Sequence, residues 1–364
     1  MPFALNTVMS LAKMGWAVDL YLWEKPLWGR PIADYRDLLP QNVSIQFFTE
    51  SRFGLTGRYL ERWLRSRFKQ RKDYHCVLGL GQKGAFIGNV LAKANECPLI
   101  QVVDEFPSNW PQTMWTTLEQ EAAQKAAMIV VPDPQQYPLI SEELGLSQTT
   151  PYATLPNIAA IQPCAHDIDW HLRFKLPKDS IPFLYAGTVD TWARVPEILS
   201  SVADWPEPAV LIVHSRSKGE VDAFRQRYSH LENHRIYWSD QVLSQDELNS
   251  LVAYCEGSFA LYHNSGPHIE YVGFSSGKLM RSLACGSPVI ASQLSSFSFI
   301  EKENLGILIE GGSEIPSAIH TLMGKQSEYR ERCLNFCQTK ASFEAYWPKF
   351  YEQLIQMTGN QLES

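Results

Sequence analysis

Cysteine, positive charge and uninterrupted apolar sequence are all scarce in this chain of 364 residues. The seven cysteines (Cys76, Cys97, Cys164, Cys255, Cys285, Cys333, Cys337) are scattered and odd in number, which fits a reducing cytoplasm better than a disulfide framework. Cys333 and Cys337 lie four apart, as do His230 and His234, but neither pair has partner ligands nearby in sequence. Both therefore read as structural or surface residues, and no metal is expected there. Lys and Arg total 32 against 39 Asp and Glu, a net charge of −7, which argues against nucleic acid as a partner. No apolar run is long enough to span a bilayer, and the opening Met-Pro-Phe-Ala-Leu-Asn lacks the basic flank of a secretory signal. What remains, 45% hydrophobic and 20% charged, is the composition of a soluble globular protein with room for two α/β domains.

Periodicity supports that division. Residues 2 to 14 read as a helix that ends at Gly15, followed by strands at 17–22, 43–48, 76–80, 99–103 and 128–131, with helices near 55–71, 84–94 and 114–126. The second half repeats the alternation, with strands near 182–186, 209–214, 234–238, 258–262, 288–291 and 306–309. Apolar strands alternating with helices predict an α/β protein of two doubly wound parallel sheets. The polar, proline-containing stretch between Asn157 and Ser180 reads as the linker. The expected parts are residues 1–160, residues 161–342 and a last helix in 343–364, whose Phe343, Tyr346, Trp347, Phe350, Tyr351 and Leu354 form a packing stripe.

Residues 273 to 292 carry the sharpest chemical signal. A turn of small residues (Ser275, Ser276, Gly277) precedes an amphipathic helix, which stops at Gly286 before a buried strand from Pro288 to Ala291. Such a turn leaves backbone N–H groups unpaired at the positive end of a helix dipole, which suits an anion. Lys278 adds a point charge suited to phosphate. The same spacing also suits a plain Ser-capped helix before a core strand.

This run resembles the nucleotide-sugar site of GT-B glycosyltransferases, in particular the retaining family numbered 4. The pattern is carried by Gly277, Lys278, Leu279, Ala284, Gly286, Pro288, Val289, Ile290 and Ala291. Residues 183–194 resemble that family's glycine loop, and the segment from Ala127 to Asn157 resembles the end of its N-terminal domain. The resemblance implies two Rossmann-like domains and donor binding by Gly187, Thr188, Arg194, Ser275, Ser276, Gly277, Lys278, Leu279 and Arg281. It also implies that the last helix returns to the first domain. Arg281 stands where the family has a ribose-binding Glu, and could either reinforce the diphosphate site or block the ribose pocket. The companion acidic position falls on Gly273, with Glu270 the nearest carboxylate. The family's first domain opens with a central strand, whereas this sequence opens in the following helix. A first domain lacking that strand is therefore expected, through truncation or a rebuilt sheet, and truncation is favoured.

The implied activity is transfer of a sugar from a nucleotide-sugar donor to a glycan or lipid-linked acceptor, with retention and no cofactor; an Asp-x-Asp metal motif is not read in the sequence, so a metal-independent mechanism is expected. Asp104, Glu105 and Glu270 are the candidate catalytic carboxylates. Asp104 and Glu105 follow a strand end where open sheets bind ligands, although Asp104 also suits a turn cap. The family's His at the neighbouring edge is missing, and Gln82 and Lys83 occupy it. Residues 58–72 hold seven Lys or Arg against Glu61 alone, with Leu60, Trp63, Leu64 and Phe68 between them. They read as a basic amphipathic helix that either lies on an anionic membrane, as a peripheral cytoplasmic protein would, or forms a solvated domain face. Two rival functions keep the same fold. One is a non-catalytic nucleotide-sugar-binding partner of another transferase; the other is a GT-B epimerase using His263, His268 and Glu270.

Overall fold

Strands and helices alternate in the computed structural model, which describes residues 2–24, 39–49, 73–104, 106, 112–156, 168–215, 218–232, 234–239 and 241–359. The basic segment 58–72 and Glu105 lie outside the described residues. Internal packing divides the chain into Met1–Ala159 with Tyr346–Ser364, and Ala160–Ala345.

The first unit contains β1 (Val18–Glu24), β2 (Val43–Thr49), β3 (Val77–Leu80), β4 (Leu99–Val102), β5 (Met128–Val131) and β6 (Tyr152–Thr154). Every pairing is parallel, but the described strands form two sheets, β1-β2 and β3-β4-β5-β6, where the periodicity predicts one. Side chains link them: the Tyr74 hydroxyl donates to Asp19 and shares a 2.9 Å hydrogen bond with the Tyr21 hydroxyl. β4 and β5 are buried along their whole length, which explains their apolar sequence, interrupted only by Gln101 in β4. The Gly81–Asn95 helix crosses β3 so closely that a Cβ on Gly79 would lie 2.6 Å from the Gly84 carbonyl oxygen. In the Phe343–Thr358 helix, Phe350 and Leu354 are buried, and the Tyr351 hydroxyl accepts from Trp16 Nε1 at 3.2 Å.

The second unit is one six-stranded parallel sheet. Its strands are β7 (Ile181–Ala186), β8 (Ala209–His214), β9 (Ile236–Ser239), β10 (Gly257–Ala260), β11 (Val289–Ser292) and β12 (Gly306–Ile309), in the order β12-β11-β10-β7-β8-β9. Side chains alternate between its faces: Phe183, Leu211 and Phe259 enter one core, Leu184, Val210 and Ile212 the other. Helices cover both faces, so the apolar strands are buried on each side. The chain runs outward from β7 to β8 and β9, then crosses back to β10 on the other side of β7. That reversal leaves a crevice beyond the C-terminal ends of β7 and β10, where open parallel sheets take ligands.

Candidate functional site

The loops after β7, β10 and β11 meet at this reversal point. Gly187 follows β7 and donates its N–H to the His214 carbonyl at 3.0 Å. A Cβ on Gly187 would touch the Tyr185 ring and the Lys278 side chain, so the glycine keeps the backbone close to that lysine. Thr188 is exposed, and its carbonyl accepts from the Tyr185 hydroxyl. The Trp192 carbonyl accepts from His263 N at 2.7 Å, tying the β7 loop to the residues after β10.

Helix chemistry supplies the other wall. Ser276 caps the Gly277–Ala284 helix, its Oγ accepting from Leu279 N at 3.4 Å and hydrogen-bonding the Tyr262 hydroxyl at 2.6 Å. The helix buries Leu279, Met280, Ser282 and Leu283 and ends at Gly286, where φ is +77°. The Gly277 and Lys278 amides occupy the first turn, where no intrahelical acceptor exists, and the space beside Gly277 is open. The Ser276 amide, expected to face the anion, is already donated to the Gly273 carbonyl at 3.2 Å.

Lys278 lies among aromatic rings. Its Nζ sits 4.0 Å from the Tyr262 ring centroid and 5.4 Å from those of Tyr185 and Trp192, and donates to the Leu261 carbonyl at 3.0 Å. Among the described residues no carboxylate pairs with it. Burial therefore brings its pKa down to about 7. An anion in the crevice would replace the missing counter-charge.

The other expected donor residues have different partners. Arg194 is buried and makes a bidentate pair with Glu197 (2.9 and 2.6 Å), while its Nη1 reaches Ser292 Oγ at 3.3 Å. It braces the loop against the end of β11. Ser292 Oγ in turn accepts from Tyr262 N and donates to the Tyr262 carbonyl. Arg281 donates to Gln245 Oε1 at 2.7 Å, and the Ser275 hydroxyl donates to the Val272 carbonyl. Glu270 accepts from Ser295 N at 2.7 Å and from Asn264, an arrangement that holds its pKa below the usual carboxylate value. This carboxylate joins two loops. One Asp-x-Asp triplet occurs, Asp167-Ile168-Asp169, but Asp169 caps the Trp170–Phe174 helix through Leu172 N, and Asp167 lies outside the described residues.

On the first unit, burial raises the Asp104 pKa, and its Oδ1 would lie 3.3 Å from a Cβ on Gly81. The residue missed by sequence reasoning is Glu119. Burial pushes its carboxyl up to about 7; the Gln82 side chain lowers it, and Asp104 and Glu143 raise it. Its signal was its place at helical spacing in the buried stripe Thr116, Glu119, Ala122, Ala123.

No family model matches the chain, and no curated protein is significantly similar to it. Solved structures are similar over nearly its whole length. HepE from Anabaena in complex with UDP-glucose has 14% identity and a TM-score of 0.64, covering 94% of this chain and 99% of that one. Sucrose-phosphate synthase from Thermosynechococcus elongatus has 15% identity and a TM-score of 0.72, covering 97% and 93%. WaaG, a glycosyltransferase involved in lipopolysaccharide biosynthesis, has 13% identity and a TM-score of 0.63, covering 98% and 95%. The fold is GT-B. In GT-B terms, the crevice beside Lys278 belongs to the C-terminal Rossmann-like body, and Asp104 and Glu119 belong to the N-terminal one.

Proposed function

We propose that the protein is a glycosyltransferase whose second unit binds a nucleotide-sugar donor beside Gly187, Gly277 and Lys278. The observation that carries this reading is a lysine with no carboxylate partner among the described residues, at the first turn of a Ser-capped helix and beside the central reversal of a parallel sheet. In the transfer, the bond between the anomeric carbon and the diphosphate oxygen breaks, and its electron pair leaves with the diphosphate. An acceptor hydroxyl oxygen bonds to that carbon with retention, and its proton ends on the released nucleoside diphosphate. The Lys278 ammonium and the first-turn amides stabilise the charge growing on the leaving oxygen, without a metal. The acceptor is a glycan or lipid-linked sugar, reached from the cytoplasmic side, with residues 58–72 on an anionic membrane surface. Among the described residues no helix is long and apolar enough to cross a membrane.

A second reading, a non-catalytic nucleotide-sugar-binding protein, is favoured by two observations. Arg281 replaces the ribose-binding Glu of the resembling family, and Arg194 is engaged by Glu197 and Ser292. One pair of assays separates the two. UDP, ADP and GDP, with their glucose conjugates, are compared by thermal shift and then by release of the nucleoside diphosphate. The expected outcome is a raised midpoint with one diphosphate, reflecting roughly 2.7 kcal/mol at hundredfold excess over Kd, together with turnover of its conjugate. A midpoint rise with no turnover supports the binding protein, and no rise with any of these ligands removes both readings.

A further inference from the structure

Trp192 is an exposed indole in an otherwise tied-down loop. Its neighbour Ala193 and the nearby Val189 are fully buried, while Trp192 itself is 43% exposed. The indole is not left out by slack in the chain. The Trp192 backbone carbonyl accepts from His263 N at 2.7 Å, Arg194 N donates to the Thr191 carbonyl at 2.9 Å, and Asp190 accepts from the Thr191 hydroxyl at 2.9 Å. One side of the ring stacks on Tyr262, with centroids 5.9 Å apart at 30°, and Lys278 Nζ lies 5.4 Å from the indole centroid. Among the described residues five large apolar side chains are exposed, namely Met14, Tyr152, Leu172, Trp192 and Val242. Only Trp192 stands at the loop that meets Lys278.

We infer that Trp192 is the wall against which the donor's sugar ring stacks, and that it separates affinity for a nucleotide sugar from affinity for the nucleotide alone. This inference rests on the donor-site reading above. A phosphate oxygen hydrogen-bonded to Lys278 lies about 3 Å from Nζ, so the ring bonded to that phosphate falls within reach of the indole. The nucleobase is one ribose farther away. A pyranose presents an apolar C–H face and a rim of hydroxyls, and an aromatic ring matches that face while leaving the rim to water or polar groups. An indole held in place before the ligand arrives makes the contact at little ordering cost. A phosphate has no such face, so the nucleoside diphosphate should gain nothing from Trp192.

Calorimetric titration of UDP and UDP-glucose into wild type, Trp192→Ala, Trp192→Phe and Lys278→Ala tests the inference. Equal thermal midpoints of the unliganded Trp192 variants and wild type establish that these variants are folded. The expected result is that Trp192→Ala weakens UDP-glucose about tenfold, the size of one aromatic contact, and leaves UDP within about twofold. Trp192→Phe should retain most of the UDP-glucose affinity. Equal weakening of UDP and UDP-glucose by Trp192→Ala overturns the inference, because the indole would then serve the ribose, the base or Lys278. Unchanged affinity for both ligands overturns it as well. If Lys278→Ala binds UDP as tightly as wild type, or wild type binds neither ligand, the donor-site reading itself fails and this inference fails with it.

Discussion

The crevice of the second unit and the covered sheet face of the first handle buried polar groups in opposite ways. In the second, Arg194, Glu197, Ser292, Tyr262 and Ser276 are joined by hydrogen bonds across the ends of β7, β10 and β11 and the start of the Gly277–Ala284 helix. In the first, Glu119 Oε2, Gln82 Nε2 and both polar atoms of Gln101 are buried without a hydrogen-bond partner of good geometry. Gln101 is the register partner of Gly79, whose missing Cβ would point at the Gly81–Asn95 helix, so the Gln101 side chain lies on the same covered face. A satisfied polar network fixes a surface, whereas an unsatisfied one stores free energy that protonation or a ligand can release. The polar network at the ends of β7, β10 and β11 therefore holds its loops in one place, whereas the group around Glu119 can respond to its surroundings.

Breaking the satisfied side should give the largest effect. Arg194→Ala leaves Ser292 and Glu197 without their shared partner in a nearly closed site. The loss of stability should be about 2 kcal/mol, below the full value of a buried pair because the Glu197 side chain is 41% exposed. Urea denaturation checks this, and a change below ~0.5 kcal/mol would show that the network is incidental.

The unsatisfied side should respond to pH. Glu119 has a folded pKa raised to about 7 from an ordinary 4.5, so the folded state holds more protons than the unfolded one between those values. Stability contributed by the neutral carboxyl is present below about 4.5 and is lost as pH rises toward 7. Glu119→Gln keeps the shape and removes the charge, so at pH 8 it should be more stable than wild type by about 1–2 kcal/mol. The advantage should vanish near pH 4.5. Equal stability of the two proteins at pH 8 would contradict the picture of a strained carboxyl.

Much of the second unit was legible in the sequence because its elements are bounded by local chemistry. Ser276 and Gly286 mark the ends of one helix, and the strands Ala209–His214 and Gly306–Ile309 fall at their expected positions. The expected strand 258–262 ends at Ala260 because the buried Leu261 and Tyr262 leave the ladder: the Leu261 carbonyl takes Lys278, and the Tyr262 backbone takes Ser292. β6 was missed because three residues show no period. Long-range partners were invisible in principle. Nothing local announces that Arg194 reaches Ser292, 98 residues away, or that three rings from separate segments converge on Lys278. Arg194 and Glu197, three apart at the start of a helix, were the part of that network the sequence could have shown.

The central claim is that Lys278 waits in its aromatic surroundings for a diphosphate. Burial lowers its pKa to about 7, so above that value the free site is largely neutral and a bound diphosphate must bring a proton with it. The measurement is UDP affinity from pH 6.5 to 9 for wild type and Lys278→Ala. Wild type should bind more weakly as pH rises above about 7, with proton uptake visible as a buffer-dependent binding heat. Lys278→Ala should be weaker at pH 6.5 by about 1.5–3 kcal/mol and nearly flat with pH above 7, where the phosphates are already ionised. A variant that binds UDP as tightly as wild type, with the same pH profile, would contradict the account.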